Sequence, residues 1–370
     1  MRKDFWKNIK KSIKCNFGDV IFYINTFKQY DYNKQLAHIK EFYIPCKVPK
    51  KEVKMVNINY STDKYMFDKY LEECRRRKGK LYQSFENQVH KEIEVANNSK
   101  KVYLIDNEEY ICIKDDECNY TILSDGREQG IKWPFRILRE LLVREREDEG
   151  NLFMHGTGVS LNERGILFLG NSGSGKTTLA IKMISEDIYR RGFISNDRVF
   201  IKNGKMKYFP IPVVFASGTA KSNPYLDKYL KKTKLYERII GKKYENTKNY
   251  DKVPVPLKDI EMIFKGVKLE EQREINTIVF PKINFNMGSS FKIQEMNARE
   301  KYISLDKTCF TPFDSESLRL EWIRKRKKNI DEITENKYDV IQQIIKEKQI
   351  LKLEYGTEIN VRSIEDDIIR

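Results

Sequence analysis

The sequence predicts an α/β fold: a strand–loop–helix core built to hold phosphate, preceded by an α+β module. Three observations predict it. Gly165-Ile166-Leu167-Phe168-Leu169 is a short apolar run bounded by turn residues, the pattern of a buried strand. Gly170 to Thr177 reads Gly-Asn-Ser-Gly-Ser-Gly-Lys-Thr and matches G-x-x-x-x-G-K-[ST], the phosphate-binding P-loop, without mismatch. Thr178 to Ile184 then reads as a helix. A strand feeding a helix through such a turn aims backbone N–H groups and the positive helix end at one point.

Residues 1–128 form the first expected domain. Val20–Ile24, Val102–Ile105, Tyr110–Ile113 and Tyr120–Leu123 are rich in β-branched and aromatic residues and predict strands. Asp106-Asn107 suits a hairpin turn between two of them, and Ser124-Asp125-Gly126 a turn after the last. Lys64 to Lys78 reads as a helix whose basic end, Arg75 to Lys80, is a solvated terminus or, in the minority reading, a polyanion contact. Residues 129–314 form the expected core domain. Trp133-Pro134 opens a helix that ends near Gly150, with Ile137, Leu138, Leu141 and Leu142 on one face and Arg and Glu on the other. Ile275–Pro281 reads as a later core strand. Residues 315–370 form a C-terminal extension, helical from Ser315 to about Lys348, with Arg324 to Lys328 on a wet face.

Around the P-loop, Gly170, Asn171, Ser172, Gly173, Ser174, Gly175, Lys176, Thr177 and Thr178 are the expected nucleotide contacts. Gly173 and Gly175 allow positive φ and leave no Cβ between backbone and phosphate. Lys176 supplies positive charge to the β- and γ-phosphates of a nucleotide such as ATP, and Thr177 a hydroxyl for Mg²⁺. His155 precedes the P-loop strand. Leu152–Ser160 and Gly165–Leu169 are expected to pair as a hairpin across the turn Asn162 to Gly165. A lone histidine is usually structural, although imidazole chemistry also suits a catalytic place here. Asp197 follows Lys176 at a distance that fits one helix and a return to a neighbouring strand, the β-α-β unit. There a carboxylate can hold Mg²⁺ or accept a proton from an attacking hydroxyl. As a residue that favours turns, it also has a purely structural reading.

Composition sets limits. No segment approaches the unbroken apolar length of a membrane span, and no secretory signal follows the basic N-terminus, so the sequence reads as cytosolic and without a membrane partner. Six dispersed cysteines without a C-x-x-C pair, and three histidines, give reduced thiols and no zinc site. The net charge of +16 invites a polyanion, while the abundance of Lys, Asn, Ile and Tyr that an AT-rich genome produces accounts for it equally. Tyr225 to Tyr250 interleaves lysine and tyrosine with little core character. It reads as a lid, a docking surface, or an ordinary surface helix and loop.

His155-Gly156, the P-loop, and Asp197-Arg198-Val199 one helix later are similar to the HPr kinase/phosphorylase family. The likeness covers roughly Trp133 to Ile201, with the Ile275–Pro281 strand. It implies a P-loop kinase core related to phosphoenolpyruvate carboxykinase and ATP-dependent phosphorylation of a serine hydroxyl. Lys176 and Thr177 would hold phosphates and Mg²⁺, His155 would lie beside the transferred group, and Asp197 would belong to the catalytic acid pair. Two departures shape the expectation. The first acid position is Asn196, and the family's downstream glycine-rich signature is missing, which implies a kinase without the reverse phosphorolysis. The N-terminal module does not resemble that of the HPr enzymes, so the chain looks closer to the divergent serine kinases that act on ribosomally made peptides. A small-molecule P-loop kinase and a nucleotide-dependent nucleic-acid-binding protein are the alternatives. The oligomeric state is open, a homo-oligomer included.

Overall fold

The structure is a computed structural model that describes residues 11–44, 46, 53–83, 89–94, 101–105, 110–186, 190–312 and 323–369. It is mixed α/β and divides into two compact units: Met1–Asp148 with Phe313–Lys327, and Glu149–Pro312 with Lys328–Arg370. These bounds differ from the expected 1–128, 129–314 and 315–370. The helix that opens at Trp133 belongs to the first unit. The C-terminal residues form no separate extension, because a strand within them completes the second unit's sheet.

The first unit contains β1 (Lys11–Asn16), β2 (Val20–Thr26), α1 (Gln29–Lys40), β3 (Lys54–Ser61), α2 (Lys64–Arg76), β4 (Lys80–Gln83), β5 (Val89–Glu94), β6 (Lys101–Ile105), β7 (Tyr110–Lys114), β8 (Asn119–Ser124) and α3 (Trp133–Asp148). The strands lie in the order β1-β2-β3-β8-β7-β6-β5-β4. The four expected strands are β2, β6, β7 and β8. Ile105 pairs with Tyr110 across β6 and β7, and the expected Asp106-Asn107 turn lies outside the described residues. Asp63 caps α2, its carboxylate accepting from the Met66 N–H at 3.0 Å. Arg76 and Arg77 pair with Glu72 and Glu73 one turn earlier, so the basic cluster is a solvated helix end. Phe67 and Cys74 of α2 pack on Ile111 and Ile113, while Trp133 of α3 stacks on Tyr110. Successive residues of a strand face opposite ways, so α2 and α3 cover opposite faces of the sheet.

The polar side of α3 is not solvated. Arg144, Glu145, Arg146 and Glu147 are all buried. Arg144 pairs with Glu147, and Lys54 with Glu145. The run from Arg324 to Lys328 corrects the expectation of a wet helical face: it is not helical, Arg324 is buried, and the Arg326 side chain is nearly covered. Arg324 pairs with Glu145 and with Asp148 (3.1 Å), and Arg326 with Glu147 (3.4 Å). Lys325 and Lys327 are exposed. Carboxylates buried by α3 require cations, and alternate residues of the run provide them.

The second unit begins with β9 (Leu152–Met154), β10 (Gly156–Leu161), β11 (Arg164–Leu169), α4 (Lys176–Ser185), β12 (Arg191–Ser195), β13 (Val199–Lys202) and β14 (Lys205–Lys207). An insertion follows: β15 (Val213–Ala216), α5 (Ser217–Ser222), α6 (Pro224–Thr233), α7 (Leu235–Ile240), β16 (Lys252–Val255) and α8 (Asp259–Ile263). The unit closes with β17 (Val267–Leu269), β18 (Gln272–Ile283), β19 (Phe291–Glu295), α9 (Ala298–Lys307), α10 (Ile330–Glu347), β20 (Gln349–Tyr355) and α11 (Arg362–Ile369). The sheet runs β17-β12-β10-β11-β18-β14-β13-β9, with β20 also on β18 and β19 on β20.

The P-loop strand β11 lies antiparallel to β10 and parallel to β18, which contains the expected Ile275–Pro281 strand. The β10–β11 hairpin turns through Asn162 and Glu163, both at positive φ (48° and 68°), as its tight connection requires. That hairpin places β10 between β11 and β12. Asp197 therefore does not follow a strand adjacent to β11: β12 is parallel to β11 but one strand removed. In the insertion, Leu226, Leu230, Leu235, Tyr236 and Tyr244 are buried, so this segment has a core of its own, contrary to its sequence reading, and only Tyr225 and Tyr250 of its tyrosines are largely exposed.

Candidate active site

β11 ends at Leu169 and the chain wraps through Gly170 to Gly175 into the first turn of α4. Three glycines hold positive φ: 142° at Gly170, 81° at Gly173 and 96° at Gly175. Gly175 is required twice over. A Cβ there would stand 2.3 Å from the Tyr355 hydroxyl, which donates to the Gly175 carbonyl at 2.8 Å. The Ile283 N–H at the end of β18 donates to the Ser174 carbonyl at 3.0 Å, tying the loop to the sheet. Lys176 is buried, and its ammonium group donates to the carbonyls of Gly170 (2.7 Å) and Asn171 (2.8 Å). Burial pushes its pKa down to about 8; Asp197 pulls it upward and Lys252 pushes it further down.

The Thr177 hydroxyl donates to Asn196 Oδ1 at 2.9 Å, and Thr157 donates to the same oxygen at 3.1 Å. Asn196 is buried and acts as the shared acceptor between β10 and α4. The hydrogen-bond partner of the Thr177 hydroxyl is thus Asn196.

His155 occupies the single-residue break between β9, which pairs with β13, and β10, which pairs with β11 and β12. Asp197 occupies the break between β12 and β13. The two breaks meet: the Gly156 N–H donates to the Asp197 carbonyl (3.2 Å), and His155 Nε2 lies 3.2 Å from Asp197 Oδ1. His155 is braced by a backbone bond to Thr308 (2.8 Å) and by stacking on Phe310 at 5.9 Å. Asp197 has φ 64°, and the Arg198 N–H donates back to the Asn196 carbonyl at 2.7 Å. This closes a γ-turn of the rarer positive-φ kind, a local strain of the sort that accompanies functional positions. Partial burial pushes the Asp197 carboxyl up. The His155 hydrogen bond and the charges of Arg198, His155 and Lys176 outweigh that and hold it below the ordinary carboxylate range.

No family model matches this chain, and no curated protein matches it.

A cavity of about 590 Å³ opens over these groups. His155, Asn196 and Asp197 line it, as do Ser172, Gly173 and the stretch Gly175 to Thr178. Of the sequence-expected positions, Gly170, Asn171 and Ser174 are not on its wall; Gly170 and Asn171 instead hold the Lys176 ammonium. The remaining wall contains Val214, Ala216, Thr219, Asn249 and Lys252 from the insertion, with Phe285 and Thr357. Thr157 and Asn249 fall in segments that the sequence pattern marks, without being singled out themselves, whereas Val214, Ala216, Thr219, Lys252, Phe285, Thr357 and Tyr355 carried no signal in the sequence.

The site fits a nucleoside triphosphate with a divalent cation. Gly173 has nothing within 4 Å of where its Cβ would be, and among the described residues the Lys176 ammonium bonds to the Gly170 and Asn171 carbonyls of its own loop, which leaves the loop open towards the cavity. Among the described residues no cluster of three metal-ligating side chains occurs. Mg²⁺ takes one or two protein oxygens and completes its shell with waters and substrate phosphates, and Thr177 and Asp197, which line the cavity, carry such oxygens. Among the described residues no helix is long and apolar enough to cross a membrane.

Proposed function

We propose that this chain is an ATP-dependent serine kinase of the HPr kinase/phosphoenolpyruvate carboxykinase type, acting on a peptide or protein. One observation carries the reading: the P-loop lysine and threonine share a single cavity with the His155–Asp197 pair. Lys176 and the loop amides hold the phosphate chain, and Thr177 with Asp197 holds the cation. Bound Mg²⁺ would neutralise charge on the phosphate oxygens. Asp197, ionised because His155 and Arg198 favour its anion, orients the serine hydroxyl and takes its proton. The serine oxygen bonds to the γ-phosphorus while the bond from that phosphorus to the β–γ bridging oxygen breaks, releasing ADP. His155 fixes the carboxylate by its Nε2–H. Asn196 stands where the family carries a first acid. It retains the hydroxyl contacts of Thr157 and Thr177 without adding charge, which leaves Asp197 as the single proton acceptor.

The test is transfer of label from γ-labelled ATP to serine-bearing peptides, with ATP and ADP binding measured by calorimetry. Wild-type protein is expected to bind both nucleotides and to label a serine, and Lys176→Met to do neither. A folded wild-type protein that binds no nucleotide overturns the reading.

A further inference from the structure

The insertion between β14 and β17 brings a cation to the cavity from outside the P-loop. β15 and β16 form a two-stranded antiparallel ribbon in which Ala216 pairs with Lys252 and Val214 with Pro254. Its faces differ sharply. Val213, Phe215, Val253 and Val255 are fully buried, whereas Val214, Ala216 and Lys252 line the cavity. Lys252 is therefore held on the cavity face by the two-residue period of the strand. Its side chain is exposed, and no ion pair holds it among the described residues.

The base of the ribbon is tied down and linked to the P-loop helix. The Ser217 N–H donates to the Asp251 carbonyl and the Gly218 N–H to the Asn249 carbonyl, each at 2.8 Å. The Ser217 and Thr247 hydroxyls bond to each other. The Thr219 hydroxyl bonds the Thr178 hydroxyl at 2.7 Å, one residue past the P-loop threonine. The ribbon thus holds its lysine in fixed relation to α4.

Three lysines line the cavity: Lys176 and Lys182 belong to the P-loop helix α4, Lys252 comes from outside it, and the charge of Lys252 disfavours the charged form of Lys176. A polyanion between them reverses that balance, since each cation then faces opposite charge. In phosphoryl transfer, charge spreads over the three equatorial oxygens of the moving group, and a cation outside the P-loop is well placed to meet it.

We infer that Lys252 is a second phosphate-directed catalytic residue, whose ammonium group bonds the phosphoryl group in transfer and which the β15–β16 ribbon carries to the site. This rests on the kinase reading above. The group transfer is the one already written; Lys252 adds hydrogen bonds to the non-bridging oxygens and exchanges no proton.

The test compares wild-type protein with Lys252→Met and Lys252→Arg. The probes are ADP alone, ADP with aluminium fluoride as a mimic of the moving phosphoryl group, and single-turnover transfer from γ-labelled ATP. Lys252→Met is expected to bind ADP within about threefold of wild type, to bind ADP–aluminium fluoride about 10²-fold more weakly, and to transfer about 10²- to 10³-fold more slowly. Lys252→Arg, which keeps the charge, is expected to recover part of both losses. Equal weakening of ADP and ADP–aluminium fluoride binding overturns the inference, as does unchanged transfer. If wild-type protein binds ADP–aluminium fluoride no more tightly than ADP and labels no acceptor, the kinase reading fails first and Lys252 with it. If wild-type protein passes both tests and Lys252→Met behaves like it, the inference on Lys252 fails alone.

Discussion

Lys176 makes the empty site expensive at neutral pH. Its ammonium group is buried and, among the described residues, bonded only to the carbonyls of Gly170 and Asn171, and its pKa falls to about 8 from the ordinary 10.5. That gap corresponds to roughly 3 kcal/mol favouring the neutral amine in the folded chain. Because the folded pKa lies below the unfolded one, the unfolded chain binds more protons between about pH 8 and pH 10.5, and this residue's contribution to stability improves as pH rises through that window. A bound polyphosphate restores the charged form. At pH 8 about half of the free protein has a neutral Lys176, so nucleotide binding takes up about 0.5 proton, rising to about 0.9 at pH 9. Affinity falls correspondingly, about twofold at pH 8 and about tenfold at pH 9 relative to pH 7. The assay is calorimetric titration with metal-free ADP in pairs of buffers that differ in ionisation enthalpy. Lys176→Met is expected to abolish binding while stabilising the empty protein by about 1–3 kcal/mol at pH 7. Heats that do not depend on buffer at pH 8 and pH 9, with binding intact, refute the argument.

Other outcomes follow from the same geometry. Asp197→Asn keeps the size and the tolerance of positive φ but removes the charge. Transfer is expected to fall about 10²- to 10⁴-fold with the affinity for metal-free ADP nearly unchanged, measured by single turnover and calorimetry. The depressed carboxyl of Asp197 stabilises the fold above the ordinary carboxylate range, and that contribution is lost as pH falls through its folded value. The stability advantage of wild type over Asp197→Asn should therefore shrink as pH falls through that value, and an advantage that does not change with pH in acid contradicts the assignment. Gly175→Ala must meet the Tyr355 hydroxyl and hold φ 96°, at a cost of roughly 2 kcal/mol or more, whereas Gly173→Ala enters open space and carries only the conformational cost. Denaturant titration giving equal losses for the two would contradict this. Arg324→Met leaves Glu145 and Asp148 buried with less compensation and is expected to cost about 3–5 kcal/mol, against about 0.5 or less for the exposed neighbour Lys325→Ala. Chemical unfolding of the two variants separates the cases.

The P-loop was legible because its physics is local. Glycine φ values, a strand before and a helix after need only consecutive residues, and Gly165 to Ile184 contains all of them. His155 and Asp197 were legible as candidates because each flanks that stretch within one element. Their 3.2 Å contact was not, because it depends on two strand breaks coming face to face. The charge run at Arg324 looked solvated because sequence cannot tell an exposed arginine from one that neutralises a carboxylate nearly 180 positions earlier.

By itself the sequence determined a strand, a glycine-rich turn with positive φ and a helix in succession, since backbone conformation follows from short-range sterics. Only the tertiary structure decided what surrounds that loop. It hydrogen-bonded Thr177 to Asn196, put β10 between β11 and β12, and brought Lys252 from a distant ribbon to the cavity wall. Such placements are settled by sheet order and by which buried polar groups need partners, and these are properties of the whole packed unit rather than of any stretch within it.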